Sequence, residues 1–175
     1  TYDGFEGLEP SNRIRVEWSG ARILGRDRAT HWDGGLSVSG TEIIDAAPWA
    51  FDCLFEGITR QTDSEIQWRS ITTGDADGVV ITLDDTTTGA LSFQAGPADF
   101  ELPLDELDGL SACEYDFGGI DQKVVIRRLP CTAAPMDVNV QMVPSSASTD
   151  GVGYWLRVRQ VDGAKAWTSP IYITE

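Results

Sequence analysis

The sequence predicts an all-β fold, an antiparallel β-sandwich of the immunoglobulin or jelly-roll kind with about ten strands. Two observations along the chain predict it, and a third at the C-terminus fixes a local pairing. Apolar and polar residues alternate in short runs, with helical periodicity almost absent. Gly, Asp and Pro separate the runs at sandwich-like intervals. The C-terminal run is split by Asp162-Gly163, the residue pair that a two-residue type I′ hairpin turn prefers.

Taken in order, "RIRVEWSG" (13–20) sets Ile14, Val16 and Trp18 on one face and Arg13, Arg15 and Glu17 on the other. "ARILGRDRATHW" continues after the Gly20 break, and "GLSVSG", "EIQWRSIT", "GVVITL", "GALSFQA" and "FELPL" follow as strands. "QKVVIRRL", "DVNVQMV" and "GYWLRVRQ" come next, and "AWTSPIYIT" closes the fold. Segment 44–58 and "PLDELDGL" (103–110) are the least strand-like and read as loops or a single helical turn. Centring the last hairpin on Asp162-Gly163 sets Arg159 opposite Ala166, Val158 opposite Trp167 and Arg157 opposite Thr168. Tyr154, Leu156, Val158 and Trp167 then share an inner face, and Trp155, Arg157 and Arg159 an outer one. Residues 1–12 read as an incoming linker, and 13–175 as one sandwich domain.

The totals agree with a folded domain: 175 residues, 41% hydrophobic, long enough to bury a sizeable core. Thirteen Lys and Arg against 28 Asp and Glu give a net charge of -15, which repels phosphate backbones and anionic lipid. The expected partners therefore exclude nucleic acid and membranes, and no apolar run reaches spanning length. Such acidity suits salty or extracellular surroundings, so an extracellular or periplasmic location is expected. A start at Thr1 without a charged-then-apolar leader reads as a processed product or an excised domain. Three Cys allow one disulfide at most, Cys113 with Cys131 closing a modest loop, and the odd count leaves the redox compartment open.

Three groups of residues could carry chemistry. His31, the only histidine, stands in "HWDGG", but metal catalysis needs several converging ligands and a nucleophilic triad needs a serine in an elbow context. "HWDGG" reads instead as a strand corner, with Gly34 or Gly35 at positive φ and Asp33 bonding locally. Asp75, Asp77, Asp84 and Asp85 resemble part of a calcium loop but lack its third carboxylate and distal Glu, so a solvated turn is expected. No two acids stand out as a glycosidase pair. The third group is Trp155 with Arg157 and Arg159, matched by Arg13 and Arg15 on the first strand, a candidate binding surface where guanidinium groups and an indole could hold an anionic glycan or a neighbouring domain. A cation–π ladder shielding the sheet accounts for the same residues.

The runs "NRIRVEWSGARILGRDRATHWDGGLSVSG", "IQWRSITTGDADGV" and "YWLRVRQVDGAKAWTSPIYI" carry a resemblance that spans Asn12 to Ile173. They are similar to the C-terminal region of a bacterial family whose N-terminal part resembles the PHP (polymerase and histidinol phosphatase) metallohydrolases. The matching positions include Trp18, Trp32, Asp33, Gly34, Trp68, Arg69, Trp167 and Pro170, and they read as fold-defining. The resemblance implies a sandwich appended to a catalytic barrel that holds the metal ligands upstream, so no catalytic residue, cofactor or metal is expected here. The expected function is a non-catalytic accessory domain that contacts its catalytic neighbour. The alternatives are a secreted carbohydrate-binding module using Trp155 or Trp49 as a platform, and a self-associating structural subunit.

Overall fold

The structure, a computed structural model, describes residues 8–23, 28–132, 152–159 and 165–173. The chain forms two compact units, Thr1–Pro135 and Met136–Glu175, where the sequence suggests one sandwich over 13–175. In the first unit the strands are β1 (Pro10–Ala21), β2 (Thr30–His31), β3 (Gly34–Ser39), β4 (Ile43–Trp49), β5 (Gly57–Gln61) and β6 (Glu65–Arg69). They continue with β7 (Ile71–Thr72), β8 (Ala76–Leu83), β9 (Ala90–Ala95), β10 (Ala98–Pro103), β11 (Ala112–Asp116) and β12 (Ile120–Pro130). The second unit contributes β13 (Val152–Tyr154), β14 (Arg157–Arg159), β15 (Lys165–Trp167) and β16 (Ile171–Ile173). Among the described residues no helix is long and apolar enough to cross a membrane.

Ten of these strands build an antiparallel sandwich. One sheet runs β11-β12-β1-β8-β4 and the other β10-β9-β3-β6-β5, and the two pack face to face. The alternation read from "RIRVEWSG" sends Ile14, Val16 and Trp18 inward, beside Val79 and Ile81 of β8 and Val124 and Ile126 of β12. Leu36, Ile66, Trp68, Leu91 and Phe93 answer from the second sheet. Trp18 and Trp68 stack across the interface, with ring centroids 4.3 Å apart and an angle of 11°, and Phe93 leans on both. Each such buried side chain contributes about 1.5–3 kcal/mol, so the core outweighs surface ion pairs such as Lys123–Glu114, worth at most about 1 kcal/mol each.

Several elements differ from the sequence expectation. Pro10–Asn12 belong to β1 rather than to a linker. Segment 44–58 supplies strands at both sheet edges, β4 pairing with β8 and β5 with β6. β4 hides its identity because it is bulged between Ile43 and Asp45 and carries Pro48, a residue with no N–H for a ladder, tolerated at an edge. β11 was likewise unmarked, whereas "PLDELDGL" does form a single 3-10 turn at Leu104–Glu106. "DVNVQMV" lies outside the described residues, as does Asp162-Gly163. The four edge strands bear exposed Asp45 (β4), Asp99 and Glu101 (β10), Glu114 and Asp116 (β11) and Arg60 (β5), with Pro48 and Pro103 among them.

The "HWDGG" stretch is a corner. β2 pairs with the short β7, and two residues later β3 enters the second sheet between β9 and β6. Gly34 and Gly35 are needed for closeness and not for positive φ, since neither is left-handed. A Cβ at Gly34 would stand 2.2 Å from the Gln94 carbonyl oxygen, and one at Gly35 2.4 Å from that of Ile66. Asp33 bonds far along the chain instead of locally: its Oδ1 accepts the Ser70 N–H at 3.1 Å.

The last hairpin keeps the expected register only in its outer rungs. β13 and β16 pair Tyr154 with Ile171 and Val152 with Ile173, as centring on Asp162-Gly163 requires. The inner strands slip by one, so Arg157 faces Trp167 and Arg159 faces Lys165. Between them Trp155 and Leu156 leave the ladder opposite Ser169 and Pro170, and Leu156 is tied instead to Thr168, by its N–H to Oγ1 and its carbonyl to the Thr168 N–H. Pro170 cannot donate a ladder bond, which accounts for the break.

We expect Gly34→Ala to destabilise the protein by about 1–3 kcal/mol, the usual cost of forcing an atom into closed packing. Chemical denaturation measures it, and an unchanged midpoint would contradict the close approach of β3 and β9.

Candidate functional site

The five residues expected to form a binding surface divide between the two units, Arg13 and Arg15 in the first and Trp155, Arg157 and Arg159 in the second. Arg13 is exposed near the start of β1, opposite Thr82. Arg15, on the same face, is 3% exposed and Glu17 7%. Arg15 sits 3.3 Å from the Glu17 carboxylate, and the Trp49 ring lies 4.6 Å from its guanidinium carbon. Gly78 makes room for that indole, because a Cβ there would come 3.0 Å from Trp49 Cε3. Trp155 and Arg157 are exposed but belong to the other unit, and Trp155 lies in the link between β13 and β14 rather than on a strand with Arg157 and Arg159. The slipped inner register puts Arg157 beside Trp167, while Val158 faces Ala166.

Arg15 and Glu17, expected on the face opposite Ile14, Val16 and Trp18, are buried on that face. The row Val125–Glu17–Gly78–Trp49 shows the reason: Trp49 folds over the outer face, and Val125 is buried there too. The sequence carried a sign of this in the unbroken apolar run Val124–Val125–Ile126, which marks a strand covered on both faces.

The acidic turn also divides in two. Asp85 behaves as a solvated turn residue, accepting the Thr87 hydroxyl and N–H and the Thr88 hydroxyl, bonds that hold its carboxyl below the usual range. Asp75 caps Thr73 in the same manner, at 2.6 Å from its N–H. Asp77 is not solvated: it is fully buried opposite Trp18. The Trp18 indole N–H donates to Ser70 Oγ at 2.7 Å, and the Ser70 hydroxyl donates to Asp77 Oδ2 at 2.5 Å. Asp77 Oδ1 is buried without a partner. Burial pushes the Asp77 carboxyl up from 3.8 to about 7, the Ser70 bond opposing and the charges of Glu56, Asp75 and Asp52 adding to the rise. Asp75 and Asp77 thus serve different partners and share no calcium loop. Among the described residues no three His, Cys, Asp or Glu side chains converge on a point. Cys53, Cys113 and Cys131 are free thiols, so no Cys113–Cys131 bridge forms.

Two hollows lie among the described residues of the first unit. One, of about 600 Å³, lies on the outer face of the second sheet over Gly34, Gly35 and Ser37, with Gln67 and Gln94 already bonded to Glu65 and Asp99. The other, of about 610 Å³, lies at the end of the sandwich beside His31. The sequence reading missed the second as a cleft because its walls come from four separate turns and strand ends.

The fold and its sites define a β-sandwich domain with a buried acid in the core and a cleft lined by an arginine and a histidine. The chain matches no family model, no curated protein and no solved structure.

Two outcomes are expected. A raised carboxyl favours the protonated folded state, so its contribution to stability is present below about pH 4 and is lost as pH rises through about 7. Asp77→Asn, which mimics the protonated form, should lose less thermal stability than wild type over that interval, and parallel melting-temperature profiles would refute the assignment. Glu17→Ala, which removes the carboxylate 3.3 Å from the buried Arg15 guanidinium, should cost about 3 kcal/mol in urea unfolding.

Proposed function

We propose that this chain is a non-catalytic accessory β-sandwich domain that packs against the catalytic module of a PHP-like metal-dependent hydrolase. The observation that carries the reading is the surface of the C-terminal unit. There Trp155 and Trp167 are 66% and 62% exposed, and Leu156, Val158, Ile171 and Tyr172 are exposed with them. So many large apolar side chains in one short, interrupted hairpin suit burial against another protein surface. Arg157 beside Trp167 has the Arg-and-aromatic composition that interfaces favour. The likeness of the chain to the region following a PHP-type module supports the choice of neighbour. The carbohydrate reading is weaker, because Trp49, one of its two platforms, already has Arg15 against its ring.

The isolated chain, supplied with manganese or zinc, is expected to release no product from p-nitrophenyl phosphate; turnover with stoichiometric bound metal would overturn the reading. In the protein that joins both modules, tryptophan quenching by iodide should be weaker than in the isolated chain. Joint replacement of Trp155 and Trp167 by Ala should uncouple the melting of the two modules. Equal quenching with and without the neighbour would rule out packing.

A further inference from the structure

The cleft beside His31 has a composition unlike that of the chain as a whole. In a protein of net charge -15, the described residues lining it include a guanidinium and an imidazole, Arg22 and His31, and no carboxylate. Arg28 stands next to this wall, its carbonyl oxygen accepting the Arg22 N–H at 2.9 Å, and its side chain is exposed. Three of the chain's eleven arginines fall within residues 22–28, immediately before the single histidine.

The floor of the cleft is built and bonded. Thr30 and Gln122 are buried, and the Gln122 amide donates to Thr30 Oγ1 at 2.7 Å, which fixes both side chains. Two glycine turns form the rim. Gly96 at φ +55 opens the two-residue turn between β9 and β10 and lies so close to the corner that a Cβ would stand 2.6 Å from the His31 carbonyl oxygen. Gly119 at φ +65 leaves space for the Gln122 side chain, whose Oε1 a Cβ there would approach to 2.2 Å. Ile23 and Pro97 supply an apolar wall. This open hollow of about 610 Å³, with polar groups on a fixed floor and one apolar side, has room for a sugar-sized molecule.

We infer that this cleft binds a small organic oxyanion, a carboxylate or phosphate carried on a polar, sugar-sized molecule. Arg22 and His31 face the charged group, Thr30 and Gln122 contact hydroxyls, and Ile23 with Pro97 covers the less polar side. Arg22 can meet an oxyanion with two parallel hydrogen bonds, the geometry that makes guanidinium selective for carboxylate and phosphate. The surrounding negative charge discourages polyanions such as nucleic acids and leaves a small ligand of one or two charges as the favoured occupant. The described residues that line the cleft all belong to the first unit.

The single histidine makes the test direct, because its imidazole Hε1 proton gives one assignable NMR signal. Titration of the whole chain with glucuronate and with glucose 6-phosphate should move that signal saturably, and inorganic phosphate should move it more weakly. Neutral glucose should leave it in place. Added salt should weaken the effect. Arg22→Ala, at an exposed position that folding does not need, should weaken binding roughly tenfold or more, the worth of one charge-assisted contact. Arg22→Glu should abolish it, while Arg60→Ala on β5 should leave it unchanged. Calorimetry on His31→Gln should show reduced affinity with an unchanged melting temperature. An equal response to glucose and glucuronate, or a saturable shift that survives Arg22→Glu, would overturn the inference. So would the absence of any saturable shift with all three anions at concentrations of about 10 mM, a level that detects even weak sites.

Discussion

The stacked pair Trp18 and Trp68 is the contact on which the rest of the molecule depends. One indole comes from the middle strand of the first sheet and the other from the second sheet, so their overlap fixes the separation and the rotation of the two layers. An indole N–H cannot be left bare in such a core. Trp18 spends its own on Ser70, Trp68 on the Trp32 carbonyl at 2.7 Å, and Trp32 on Thr72 Oγ1 at 2.9 Å. The Thr72 hydroxyl then returns to the Gly20 carbonyl at 2.6 Å, on the strand that carries Trp18. These bonds hold the corner at residues 32–34, and the corner sets where His31 stands.

The same chain of bonds ends on Asp77, where it is least favourable. A carboxyl with one oxygen unpartnered in the core is neutral in its stable folded form, and its ionisation opposes folding near neutral pH. The charges of Glu56, Asp75 and Asp52 add to that penalty, so acidic side chains border a tightly packed part of the core. The cleft just beyond the end of β1 shows a different pattern, an arginine and a histidine around a bonded Thr30–Gln122 floor. Net charge alone conceals this division.

Much of the fold was legible because inward positions alternate faithfully. Ile14, Val16 and Trp18, or Leu91 and Phe93, face the core as period two requires, and the sandwich follows from them. The edges were not legible, because β4 is bulged and holds a proline, and β11 places half-buried Cys113 and Tyr115 among acids. Of the proposed binding residues, Trp155 and Arg157 kept their exposure, whereas Arg15 was lost to a cover supplied by Trp49 from a segment read as loop. A one-residue slip moved Trp167 from Val158 to Arg157, a change no composition reports. The cleft beside His31 escaped because proximity in space, between the end of β1, the corner and two turns, joins residues up to a hundred positions apart.

The outermost strands of the sandwich have a consequence for how it can meet other molecules. Three of the four carry outward carboxylates and two contain proline, so a second copy approaching rim to rim would set like charges in register and find donors missing. Fibre growth by strand addition is thereby discouraged, and the sandwich can stay dispersed when crowded. A companion adding a strand is thereby directed away from β4, β10 and β11, and the short β5, with Arg60 as its one charge, is the margin left open.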